Sequence, residues 1–106
     1  MSARSFKYRG VRQGDLCKVT VLGRPLDPRV DLRDHSSAGF DWGDGGNGSA
    51  QLALAILADH AGDEVALSLH QQFKAAVVAR LPSERWTLGR DDIDHALAAL
   101  ETSGAP

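Results

Sequence analysis

The stretch GFDWGDGGNGSAQLALAILADH, from Gly39 to His60, concentrates the residues whose types and spacing suggest chemistry. Asp41, Asp44 and Asn47 recur at every third position among glycines and offer oxygen ligands of the kind a hard cation takes. An EF-hand loop, however, places its ligands at alternate positions and closes on a bidentate Glu, whereas the twelfth residue counted from Asp41 is Leu52. Gly43, Gly45 and Gly48 fit GxGxxG, and a helix follows; a dinucleotide site also needs a second strand ending in an acidic residue about twenty positions on. Here Asp63 and Glu64 open another helix instead. No Lys-Ser/Thr pair closes the glycines as a Walker loop requires. An anion drawn to the free amides at the helix start is repelled by Asp41 and Asp44. Turn-forming Asp, Asn and Gly in solvent is therefore the preferred reading, with the glycines acting as a hinge into the following helix. Asp41, Trp42, Asp44, Asn47 and Gln51 form the candidate functional loop, and no cofactor or metal is assigned to it.

The other reactive side chains do not converge in sequence. His35, His60, His70 and His95 lack a partner at i+4 or a nearby Cys, so each is read as an exposed helix or loop histidine. Asp34, His35 and Ser36 contain triad residue types, but neighbours on one loop cannot adopt the nucleophile, base and orienter geometry, and no catalytic residue is assigned. Cys17 lies in LCKVTV on the same strand face as Val19 and Val21 and is read as a buried structural thiol, with no His or cation adjacent to depress its pKa. Lys7, Arg9, Arg12, Lys18, Arg24, Arg29 and Arg33 are read as lining an exposed sheet face, with Tyr8 as a stacking ring, a pattern suited to nucleic acid and equally to a solvated strand face.

These groups must be positioned by elements that hydropathy patterning makes visible. FKYRGVR and LCKVTVL alternate on either side of QGD, which predicts a hairpin with Gly14 at its tip. VDLR puts Val30 and Leu32 on one face of a short third strand at an edge. Phe40 and Trp42, two apart, are expected to point into the core together. From Ser49 the pattern AQLALAILADHAG is apolar nearly all round, predicting a buried central helix capped at Asn47, Gly48 or Ser49, with Gln51 reaching back to the cap amide and Gly62 ending it. DEVALSLHQQFKAAVVARLP predicts a second helix with Val65, Leu69, Phe73, Ala76 and Val77 as its apolar stripe. SERWTL is compatible with an added strand, and RDDIDHALAALE predicts a third helix packed through Ile93, Leu97 and Leu100. The fold class is thus α+β: a small N-terminal antiparallel sheet of about three strands against three C-terminal helices, the first central.

At 106 residues the chain fits one domain, 1–106, with 1–5 and 102–106 expected to fray. Its composition is 42% hydrophobic and 25% charged, without an apolar run near the roughly 18 residues of a membrane span. MSARSFKYRG matches neither a secretory signal nor a lipid-attachment pattern, so the expected location is cytoplasmic, with no membrane partner. Charge is divided unevenly: residues 1–38 carry eight Lys and Arg against four Asp and Glu, and the remainder four against ten. Such polarity orients encounters and favours head-to-tail self-association.

The residues KYRG, VTVLGRPL, GFDWGDGGNGSAQLALAILADH, FKAAVVARLP and WTL together resemble a family of small uncharacterised proteins, a domain of unknown function found in bacteria, archaea and some of their viruses. The resemblance runs over residues 6 to 98 and is most specific at Trp42, Gly43, Gly46, Gly48, Gln51, Leu52 and Ala53. This chain has Asp44 where the family favours an aromatic residue and Ser49 where it favours Pro. The resemblance implies a shared fold, and its occurrence in viruses and mobile elements implies action by binding another protein. The expected function is a non-catalytic protein-interaction module, phage or mobile-element associated, whose partner is another protein or a second copy. Nucleic-acid binding through the basic strands and small-molecule or anion binding at the glycine loop are the alternatives.

Overall fold

The computed structural model describes residues 6–103. The expected hairpin forms from β1 (Phe6–Gln13) and β2 (Leu16–Val21), with Gly14 at φ 61° in the turn. Pairing runs from Tyr8 opposite Val21 to Gln13 opposite Leu16, so Tyr8, Gly10, Val19 and Val21 face inward and Arg9, Val11, Lys18 and Thr20 outward. The third strand is not VDLR. It is the two-residue β3 (Arg24–Pro25), placed at an edge where proline costs no ladder bond. The VDLR segment turns instead: Arg29 has φ 56°, its carbonyl accepts the amides of Leu32 and Arg33, and Val30 is left exposed. The fourth strand, β4 (Arg85–Gly89), comes from the SERWTL region and pairs antiparallel with β1, giving the order β3-β2-β1-β4.

Helix α1 (Asn47–Ala61) is central, as its almost wholly apolar sequence requires: all ten residues from Ser49 to Ala58 are buried. Burying Leu52, Leu54, Ile56 and Leu57 contributes about 1.5–3 kcal/mol each, which fixes this helix between the sheet and its neighbour. Its start differs from expectation. Gly46 is the N-cap residue, no side chain caps the helix, and Gln51 does not reach back. Gly62, at φ 98°, ends α1 through its N–H to the Ala58 carbonyl and at once begins α2 (Asp63–Ala76).

The buried face of α2 is Ala66, His70 and Phe73; Val65, Leu69 and Val77 pack at its margin, and Ala76 is exposed. The helix ends at Ala76, with Val77 as its C-cap, and the chain tightens into a 3-10 turn, Val78–Arg80, that buries Val78. Helix α3 (Arg90–Ser103) packs through Ile93 and Leu97, with Leu100 partly buried, as its spacing predicts. Of the ends expected to fray, residues 102 and 103 belong to α3, while 1–5 and 104–106 lie outside the described residues. No helix among the described residues is long and apolar enough to cross a membrane.

Candidate functional site

Three places gather the polar groups: the glycine loop, the connection between β3 and α1, and the open face of the sheet. In the loop, Trp42 is buried at 2% exposure, and Phe40 packs partly buried against the core. Asp41 Oδ1 accepts the Trp42 amide at 2.8 Å and Arg12 Nη2 at 2.9 Å. Burial pushes the Asp41 carboxyl upward, but the Trp42 amide and the Arg12 guanidinium outweigh it and hold the group below its usual range. Asp44 Oδ1 accepts the Gly46 amide and the Ser49 hydroxyl, while Asn47 is exposed at the first helical position. The loop is also clasped from outside by the Gly43 amide to the Val78 carbonyl and by Lys74 Nζ to the Gly45 carbonyl, each 3.0 Å. Its carboxylates are therefore engaged by backbone amides and a hydroxyl of this segment and by Arg12 of β1. Among the described residues, no group of three or more His, Cys, Asp or Glu side chains is placed to hold a metal ion.

Gln51 belongs to a different construction. Wholly buried, it donates through Nε2 to the carbonyls of Pro28 (2.5 Å) and Arg33 (3.1 Å) and accepts through Oε1 from the amides of His35 (2.7 Å) and Ser36 (3.0 Å). One side-chain amide thus uses both of its ends to fasten the connection 26–46 onto α1. The histidines are not all exposed: His70 is 3% exposed and lies 2.9 Å from His35, Nε2 to Nε2. His60 pairs with Asp94, and His95 is exposed as expected.

The seven basic residues do not share a face. Arg12 turns inward, donating from Nε to the Ser83 carbonyl and lying 5.0 Å over the Trp42 ring. Lys7 reaches Asp59 at 3.6 Å, and Arg29 is held by Asp31 and Asp63. Arg24 borders a cleft of about 360 Å³ between β2–β3 and α1, floored by Val21, Leu26 and Ala55 and remote from the glycine loop, while Arg33 is exposed on the connection. Tyr8 cannot stack on a ligand: it is fully buried and donates its hydroxyl to Asp59 at 2.5 Å, and burial, then Asp59, raise its pKa.

Arg9 and Lys18 remain on the open face, joined by Arg85, which sequence reasoning missed because the pairing of β4 with β1 is not visible in the chain order. Directly paired residues point to the same side of a sheet. Lys18, Val11 and Arg85 therefore form one transverse row, and Thr20, Arg9 and Thr87 the next. All three cations are exposed and form no ion pair among the described residues, and Leu16, 57% exposed, extends the face toward the hairpin end.

A model of a family of unknown function, DUF6166, matches residues 8–99. This chain belongs to that family. The DUF6166 match takes in most of β1, the other three strands, the glycine loop, Gln51 and most of α3, so each of the three places above lies within it. None of the curated proteins and none of the solved structures compared matches the chain.

Cys17 shares the inward face with Val19 and Val21 but is only partly buried, and a cation does adjoin it: Arg12 stands opposite in the β1–β2 register. Burial nevertheless dominates, and with Asp41 beside the sulfur it raises the thiol pKa against the pull of Arg12. The native protein is expected to react with a maleimide or aromatic disulfide near neutral pH at least about fivefold more slowly than the urea-unfolded chain. Equal rates in the two states would show that Arg12 governs this thiol.

Proposed function

We propose that this chain is a non-catalytic protein-interaction module that docks an acidic protein partner on the open face of its sheet. The observation that carries the reading is the arrangement of Arg9, Lys18 and Arg85 around Val11: three exposed cations without a carboxylate partner among the described residues, on a face where Thr87 is also exposed and Val11 and Thr20 are only partly buried. Opposite charge on a partner speeds and orients docking there, and Val11 and Leu16 supply apolar contact. Single-stranded nucleic acid fits less well, because base stacking needs exposed rings, and among the described side chains the rings of these strands, Tyr8 and Trp86, are buried. A cytoplasmic setting, a phage or mobile-element origin and self-association extend this reading; the origin rests on sequence resemblance and self-association on the two-sided charge.

The test is quantitative affinity capture from extract, run with and without nuclease, comparing the natural chain with the triple variant Arg9→Glu, Lys18→Glu, Arg85→Glu. The variant is expected to retain its melting temperature, since exposed substitutions of this kind usually change stability by less than about 0.5 kcal/mol each. Partner retention is expected to fall tenfold or more. Unchanged retention, or bound material that proves to be nucleic acid, would refute the docking assignment.

A further inference from the structure

We propose that His35 and His70 form an acid-released latch that holds the middle of the connection 26–46 against α2. The argument starts from proton positions. His70 Nδ1 lies 2.8 Å from the Ala66 carbonyl oxygen, which can only accept, so that nitrogen carries hydrogen and Nε2 of the neutral ring presents its lone pair. The 2.9 Å contact then requires His35 to donate from its own Nε2. One added proton can sit on His35 Nδ1 without breaking this bond. A second, on His70 Nε2, sets two N–H groups and two positive rings against each other and abolishes it.

The surroundings oppose the proton on His35. Burial acts first to lower the His35 pKa, followed by His70, Arg33 and Lys74, with only Asp34 pulling the other way. A histidine whose folded pKa is lowered binds fewer protons folded than unfolded, so its contribution to holding the structure is complete above about pH 6.5 and is lost as pH falls below it. The opening is local because the flanks are tied by ion pairs that involve no histidine: Arg29 to Asp63 on one side, and Arg12 to Asp41 on the other. Between them, His35 is fastened twice, by its ring to α2 and by its amide to Gln51 on α1. Loss of the ring contact frees the backbone to leave the amide.

Native-state hydrogen exchange read residue by residue tests this on the intact chain. Between about pH 7.5 and about pH 5, protection factors of the His35 and Ser36 amides should fall tenfold or more, while those of amides inside α1 hold. His70→Gln can still accept from His35 without titrating, and should remove the pH dependence; if that variant does not fold, His35→Gln serves the same purpose. Wild-type protection that is constant across this range overturns the latch. So does a pH response that persists unchanged in the folded glutamine variant.

Discussion

Replacing Gln51 with leucine is expected to lower the unfolding free energy by about 3–5 kcal/mol, and the melting temperature by about 15–25 °C. The magnitude follows from what the amide holds. Leucine fills the buried volume but leaves the carbonyls of Pro28 and Arg33 and the amides of His35 and Ser36 without their partner. Each orphaned buried group costs about 1–3 kcal/mol, and partial access of water to the connection keeps the total below the simple sum. A glutamine that only closed a helix cap would cost about 1 kcal/mol on removal, so urea denaturation separates the two roles. Gln51→Glu is also expected to destabilise: it retains acceptors for the two amides but turns a carboxylate oxygen toward two carbonyls. A loss near 1 kcal/mol in Gln51→Leu would mean that the connection is held chiefly by other contacts.

Gly10→Ala is the second large effect, expected to destabilise by about 3–4 kcal/mol. Alanine in place of glycine within a strand ordinarily stabilises by roughly 0.5–1 kcal/mol, so here even the sign is informative. A Cβ at position 10 would stand 2.2 Å from Trp86 Cε2 and 2.3 Å from its Nε1, because the indole lies across the glycine opposite it in the register. Trp86 has little room to retreat. It meets Trp42 edge to face at 5.5 Å, and Trp42 is itself pinned by its Nε1 to the Ser83 carbonyl at 3.0 Å and by the Arg12 guanidinium above it. The Trp86 N–H is already buried without an acceptor among the described residues, so its place rests on packing alone. A double-mutant cycle with Trp86→Leu checks the cause: the double variant should be about as stable as Trp86→Leu alone, a coupling of about 2 kcal/mol or more. Additive losses would locate the damage in the backbone of β1.

Much of this molecule can be read from local patterns. The β1–β2 hairpin follows from period-two alternation around Gly14, the buried α1 from an apolar run with no polar stripe, and the break at Gly62 from the conformation that only glycine takes easily. Trp42 points inward for the reason its sequence neighbourhood suggests. These properties depend on residues within a few positions of one another, and hydropathy records them directly.

The candidate sites depend on contacts between distant parts of the chain. Arg12 and Arg9 look alike in the sequence, yet one is drawn inside by Asp41, Trp42 and Ser83 while the other faces solvent, because strand alternation separates them and only the packed loops supply the inward partners. Arg85 joins Lys18 only when β4 lies down on β1, and His35 finds His70 only when the connection folds back over α2. Even Gln51, singled out from its spacing, takes its role from a segment some twenty residues earlier. Sequence by itself determined the fold class, the central helix and the turn chemistry, since backbone preference and side-chain periodicity are local. Which polar groups are satisfied internally and which are left to meet a partner was decided only by the tertiary structure, since hydrogen bonds and ion pairs act over a few ångströms and chain order does not say which distant groups will come that close.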